Sequence, residues 1–457
     1  MLQTSCAAGL LGALPHAANA SSDELAIMTA RPAAVQLAPQ EYPQTEIWGY
    51  DGQMPGPVIR VKQGERVRRR FVNDLPQPSS VHWHGVRIDN AMDGVAGFTQ
   101  DAIEPGNSFD YDFEVPDAGT YWFHAHNRSV EQVARGLYGV LIVEEPDAPD
   151  VDRDEVLVLD DWLLDPETAQ IDLEFEAPHD RSHAGRRGNF IATNGRSDFA
   201  LTVQRNERLR LRLVNTANAR IFELGLDGLK GWAVAYDGMP LPRPEAIDGT
   251  FLLSPGQRVD LIVDVTAETG KTAHLIRIDD QKGYSQTPFR VAGEATATSR
   301  PDPLPLPPNP KMEIGGLETA QQFRLNMEGG AMGRLDAAVL DGEQKTFRQL
   351  VDANQFWSFN GVIGMTNAPL AQLSRGATAK LEINNDTSFP HAMHLHGMHF
   401  REVLADGTLG PLRDTVLMFG GETREFAFVA DNPGKWLFHC HMLSHAAAGM
   451  MTWVDVA

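Results

Sequence analysis

Cysteine is nearly absent from this chain, with two in 457 residues. One of them, Cys6, lies in an N-terminal segment that reads as removable, so no internal disulfide is expected and the fold must rest on buried cores. Long apolar runs are missing too. No stretch of 18 or more apolar residues follows that segment, which argues against a spanning helix. Positive charge is in deficit: 39 Lys and Arg stand against 61 Asp and Glu, a net charge of −22. A nucleic-acid partner calls for a basic patch, and the one basic run, Arg66 to Arg70, alternates within a predicted strand and reads as a solvated face. Helix signals are poor. Short alternating runs of Val, Leu, Phe and Arg between clusters of Gly, Pro, Asn and Asp predict an all-β protein of several small sandwiches.

Residues 1–20 contain no Asp, Glu, Lys or Arg, have an apolar centre from Ala7 to Leu14, and end Ala18-Asn19-Ala20. That ending fits a signal-peptidase site, although the usual basic start is missing. The expectation is an exported, periplasmic or secreted protein. After cleavage Cys440 is the single cysteine. Set between His439 and His441, it reads as a ligand rather than a staple.

An internal repeat organises the rest. Gly64 to Asn73 followed by His82-Trp83-His84-Gly85 matches Gly376 to Asn385 followed by His394-Leu395-His396-Gly397. Asn206 to Asn215 followed by Glu223 is a middle copy without histidines. The second half of each unit repeats as well: Gly106 to Gly119 leads into His124-Ala125-His126, and Gly421 to Gly434 leads into His439-Cys440-His441. Three homologous β-sandwich domains follow, at 35–147, 148–300 and 312–457, with the proline-rich run 301–311 as a stiff linker before the third.

In a strand, residues i and i+2 share a face. Each His-x-His pair therefore presents two imidazoles side by side. His82, His84, His124, His126, His394, His396, His439 and His441 form four such pairs, half in the first domain and half in the third. They converge only if those domains dock. Imidazole suits Cu, Zn, Fe and Ni, so these ligands alone do not name the metal. Cys440 points to the opposite face of its strand. With His445 five residues on, Met450 ten residues on and His391 as candidate second imidazole, it forms the ligand set of a blue-copper electron-transfer site.

With these motifs the chain resembles the three-domain multicopper oxidases, the laccase-like family, over almost its whole mature length. The resemblance rests on His82-Trp83-His84-Gly85, His124-Ala125-His126, the run His391 to Gly397 and the run His439 to Met450. It implies Greek-key cupredoxin domains and four coppers. Type 1 copper would take His391, Cys440, His445 and Met450. Type 2 would take His82 and His394, and the type 3 pair His84, His124, His126, His396, His439 and His441. The implied reaction is one-electron oxidation of a phenol or aromatic amine at type 1 copper, with O2 reduced to water at the trinuclear cluster. A monomer is expected. Protons must arrive there, and Asp93, nine residues after His84, matches the family's acidic position. Two positions depart from the pattern. Ala446 stands where many bacterial members carry Glu, and Ala392 replaces a proline.

Other residues carry less. His399 reads as a polar partner of a ligand, and His179, His183 and His274 as structural. Met312, Met327, Met332, Met365, Met393 and Met398 read as core filler. The rival functions are oxidation of cuprous or other metal ions for copper tolerance, a non-enzymatic envelope scaffold, and nitrite reduction, which the full set of eight imidazoles disfavours.

Overall fold

The computed structural model describes residues 25–457; the predicted export segment and Cys6 lie outside them. The described chain is almost wholly β, and six of its seven sheets pair off in sequence order. The first pair is a sheet of Thr45–Tyr50, Ala26–Val35, Arg66–Asn73 and Ser108–Glu114 against a sheet of Val58–Lys62, Tyr138–Glu144, Gly119–Ala125 and Val81–His84. The second pair, of six and five strands, runs from Arg153 to Glu294, and the third, again of six and five, from Gln321 to Val456. Non-sequential strand neighbours give each pair the crossovers of a cupredoxin-like sandwich. Between the second and third pairs, residues 301–316 form no strand. The proline-rich run is nonetheless anchored: Leu306 packs beside Val234 and Ile262, and Asn309 exchanges hydrogen bonds with the backbone of Ala118 at 2.9 and 2.8 Å.

Alternation explains most strands. In Thr378–Asn385, Ala379, Leu381 and Ile383 turn inward while Lys380 and Glu382 turn outward. Arg208–Asn215 has the same pattern but a different fate, for all eight residues are buried. Leu209, Leu211 and Leu213 enter the sandwich core. The arginines on the other face meet neighbouring parts of the molecule: Arg210 binds Glu145 at 2.7 Å and Asp260 at 2.6 Å, and Arg212 binds Asp154 at 2.7 Å and Thr120 at 2.9 Å. By contrast, Arg66 and Arg70 pair with Asp112 and Asp110 on an exposed face, as the sequence pattern predicts. The first and third sandwiches dock directly. Asn432 donates to the carbonyl of Ile88 at 2.9 Å and Asn90 to that of Lys435 at 2.7 Å. One continuous buried cluster includes Trp83 and Phe123 from the first and Met393 and Phe438 from the third.

Candidate metal centres

Strand register sets the histidines in place. Val81–His84 pairs with Gly119–Ala125 so that His82 opposes His124, and His391–Leu395 pairs with Gly434–Cys440 so that His394 opposes His439. Docking of the two sandwiches brings all eight imidazoles together in three groups, two of which share His84: His82, His84 and His394; His84, His124 and His441; His126, His396 and His439.

Second partners fix which nitrogens face inward. A carbonyl oxygen only accepts, so each ring nitrogen bonded to one must carry the proton. His82 Nδ1 donates to the Asp93 carbonyl (2.8 Å), His394 Nδ1 to that of Asp414 (3.0 Å), His124 Nδ1 to that of Ala125 (3.1 Å) and His439 Nδ1 to that of Cys440 (2.9 Å). Each Nε2 is then a bare lone pair, as ligation requires. His396 is oriented by the Asp93 carboxylate, 3.0 and 3.1 Å from its Nδ1. Its Nε2 faces that of His439 at 3.2 Å, and Nε2 of His441 faces that of His124 at 3.4 Å. For His396 and His439, both protonated on Nδ1, two acceptors at such a distance repel unless a cation lies between them. Nitrogens about 2.0–2.1 Å from one ion at a tetrahedral angle are about 3.3 Å apart. Buried Nε2 of His82 and His394 and Nδ1 of His84 and His441 have no hydrogen-bond partner, an expensive state for a polar group without a ligand. Burial lowers His394 and pushes His84 well below the ordinary histidine range. It pushes His124, His126, His396 and His441 well below the ordinary histidine range and His439 down to about 3. The donor set fits metal ions.

On the other face of the strand, Cys440 Sγ lies 3.7 Å from His391 Nδ1 and 3.9 Å from His445 Nδ1, and those nitrogens are 3.1 Å apart. Their outer nitrogens are engaged, His391 Nε2 with Thr387 Oγ1 at 2.9 Å and His445 Nε2 with the carbonyl of His183 at 2.7 Å. Met450 is buried beside them, its carbonyl accepting from the Cys440 N–H at 3.1 Å. Without a metal, burial pushes the Cys440 thiol up to about 12; a coordinated cation is what makes a thiolate here favourable. The Trp357 ring packs on both histidines, with centroids 4.9 Å from His391 and 4.5 Å from His445.

Sequence reasoning missed the support behind the cluster. Asp414 is fully buried. Its carboxylate is 3.2 Å from His84 Nε2, 3.6 Å from His399 Nε2 and bound through two N–H groups of Arg258 at 2.9 and 2.6 Å. Burial raises this carboxyl, but Arg258 and His84 outweigh it and hold it well below the usual carboxylate range. The middle domain, which holds no candidate ligand, thus reaches the cluster through one arginine. It also approaches with backbone: Gly256 has φ 84°, and a Cβ there would be 2.9 Å from the His441 ring and 3.1 Å from His84. Nothing in the local sequence around Asp414 or Arg258 marks these roles. His183, read as structural, proves to hold a candidate ligand with its backbone. Met332 and Met365 are exposed rather than core filler, whereas Met327, Met393 and Met398 are buried.

A cavity of about 530 Å³ leads to the cluster, lined by Val95, Phe98, His126, His439, Ala446 and Met451, with no Asp or Glu on its wall. Ala446 therefore leaves an open, acid-free approach on this side. A larger cavity of about 860 Å³, between loops near Gln36 and Arg196, touches none of the candidate ligands.

A thiolate centre and an imidazole cluster on consecutive residues of one strand, buried between β-sandwiches, define a redox metalloprotein of the cupredoxin type. Family models described as Multicopper oxidase match residues 33–148, 153–296 and 341–457. "Multicopper oxidase MmcO" of Mycobacterium tuberculosis is 31% identical, over 94% of this chain and 86% of its own. Among solved structures, Lac15 from a marine microbial metagenome is 41% identical with a TM-score of 0.77, over 95% of this chain and all of that one. A multicopper oxidase from Pseudomonas Thermotolerans is 31% identical with a TM-score of 0.82, over 95% and 99%. The chain belongs to the multicopper oxidase family. It is a copper-dependent oxidoreductase that takes electrons from a reducing substrate and uses O2 as acceptor.

Proposed function

We propose that this oxidase draws single electrons from small organic donors, phenols or aromatic amines, and that four coppers serve it. His391, Cys440, His445 and Met450 hold type 1 copper. His82 and His394 hold type 2, and the type 3 pair divides between His84, His124 and His441 on one side and His126, His396 and His439 on the other. The carrying observation is the facing of imidazole nitrogens at 3.1, 3.2 and 3.4 Å in two buried centres. Bound copper supplies reversible one-electron chemistry and a place for dioxygen.

The chain's own contribution is position and exclusion of water. Cys440 is covalently joined to His439 and His441, so an electron entering at the thiolate has a route of a few bonds to two imidazoles of the cluster. Burial of both centres limits reorganisation around the ligands. Asp93 has no solvent exposure, and its carboxylate, on His396 Nδ1 and 3.3 Å from His82 Nδ1, is placed to hold and release a proton as oxygen is reduced. The sequence pattern of residues 1–20 supports action outside the cytoplasm. Among the described residues no helix is long and apolar enough to cross a membrane. Both centres are complete within one chain, which supports a monomer.

Copper analysis with a visible spectrum and oxygen uptake on a phenol tests the reading. Four coppers per chain, an intense blue band and uptake with the phenol are expected. A folded, colourless protein would favour the scaffold reading instead, and a blue protein inert to every organic donor would remove the substrate class.

A further inference from the structure

The cavity of about 530 Å³ that reaches the cluster carries charge of one sign. No Asp or Glu lines it, whereas Arg128 and Lys435 do. Lys435 lies over the Trp453 ring, 5.2 Å from its centroid, and among the described residues its ammonium pairs with no carboxylate. Arg128 has Glu131 3.6 Å away, but Arg135 holds the same carboxylate at 3.0 Å. Two guanidinium groups thus share one acid. In a chain with a net charge of −22, two spare cations at one cavity reverse the sign of the local field. Ala446 keeps it so, since a carboxylate side chain at that position would stand on the same wall.

Much of the remaining wall is apolar and aromatic. Phe98 meets Trp453 edge to face, with centroids 5.6 Å apart and planes at 71°. The Trp453 ring is held by its own N–H on the Thr366 carbonyl at 2.9 Å. Pockets that take small organic ligands run to about 300–1,000 Å³ and combine apolar walls with a few placed polar groups. A small inorganic anion would give up hydration here with only the two cations in return. A neutral arene would leave those cations unanswered. A ring bearing one carboxylate meets both parts of the wall. It gains aromatic contact with Phe98 and Trp453 and charge-assisted hydrogen bonds to Lys435 and Arg128.

We propose that this cavity binds an aromatic carboxylate, its ring against Phe98 and Trp453 and its charge on Lys435 and Arg128, and that the occupied cavity obstructs dioxygen on its way to the cluster. Binding depends on these side chains and not on copper. The effect on oxygen rests on His126 and His439, at the same cavity, as ligands of the oxygen-reducing copper cluster. A phenol that also carries a carboxylate would then act twice, as donor at the thiolate centre and as a brake here. The consequence is inhibition by excess donor that more oxygen relieves.

Benzoate has the ring and the charge but no hydroxyl to oxidise, so binding can be read apart from turnover. Titrated by calorimetry into copper-loaded protein, wild type should take up one benzoate per chain. Lys435→Met/Arg128→Asn should bind it at least about fivefold more weakly. Methionine keeps the backbone carbonyl that accepts from Asn90, and asparagine tolerates the left-handed φ of 49° at residue 128. Lys435→Met alone, at an exposed side chain, should show part of that loss and so guards against a folding explanation. Cyclohexanecarboxylate, equal in charge, should bind about threefold more weakly than benzoate. In oxygen-uptake assays on a phenol, benzoate should raise KM for O2 and leave kcat unchanged, while both variants keep the visible band and the uninhibited rate. Equal benzoate affinity in wild type and the double variant overturns the site. Chloride that raises KM for O2 as much as benzoate does at equal concentration overturns the ligand class, and bound benzoate with KM for O2 unchanged overturns the obstruction. A wild type with no visible band and no turnover refutes the copper reading and the obstruction with it. The calorimetric difference then still decides whether the cavity takes an aromatic carboxylate.

Discussion

Replacing Arg258 with methionine would remove the one cation that balances a carboxylate deep in the molecule. Arg258 is fully buried. It gives two N–H groups to Asp414 at 2.9 and 2.6 Å, one to the Gly256 carbonyl at 3.0 Å and one to that of Thr120 at 3.1 Å. Asp237, which burial and then Asp414 push up to about 6, lies 3.8 Å away. Breaking a buried pair by removing one partner costs about 3–5 kcal/mol, because the other charge stays without solvent or counterion. Arg258→Met should therefore lower stability by that order in urea denaturation of the metal-free protein. Adding Asp414→Asn should restore at least about 2 kcal/mol, since the unpaired charge is gone; with the Asp414→Asn single variant the cycle closes and gives the coupling energy of the pair. The sign with pH follows. In wild type the Asp414 carboxyl is held low, so its contribution is present above the unfolded carboxylate range and is lost as pH falls through the folded value. In the variant the carboxylate is a burden at neutral pH, and the penalty should shrink on acidification as it takes up a proton. A loss under about 1 kcal/mol for Arg258→Met, or a double variant no more stable than the single, would refute this account.

Cys440→Ser should abolish the blue band and remove one copper per chain by metal analysis while the circular dichroism spectrum stays that of the native fold, because the sulfur makes no structural bond. Asp93→Asn should slow reoxidation of the reduced protein by O2 at least tenfold in stopped flow, leaving the rate of bleaching by a phenol unchanged; equal slowing of both would deny Asp93 its proton role. Burial lowers His445 to about 4 and His439 to about 3. These depressed histidines contribute stability that is fully present above about pH 6.5 and is lost as pH falls toward those values, at about 1.4 kcal/mol per unit for each group. The metal-free protein should thus lose about 2–3 kcal/mol per histidine between pH 6.5 and 4.5 in denaturant melts, and the copper-loaded protein at least as much, since the metal keeps the native nitrogens from taking up a proton while those of the unfolded chain still do.

By itself the sequence settled chemistry that depends on local spacing. Period-two alternation placed Cys440 on one face of its strand and His439 and His441 on the other, and the repeat tied His82 and His84 to His394 and His396. Candidate ligands are legible because few residue types bind copper and a strand fixes which of them share a side. What lay between chain segments was not legible. Arg66–Arg70 and Arg208–Arg212 have nearly the same pattern, yet the first is solvated and the second is buried against another sandwich. Only the docked structure decides, because a charged face can be desolvated only where carboxylates from elsewhere meet it. The Asp414–Arg258 pair, the Gly256 approach to His441 and the His183 carbonyl on His445 are of the same kind. Each joins residues far apart in the chain through a contact that no local pattern encodes. Residue spacing wrote the two centres; the docking of three sandwiches determined what surrounds them, and so which side is open at Ala446 and which is closed at His445.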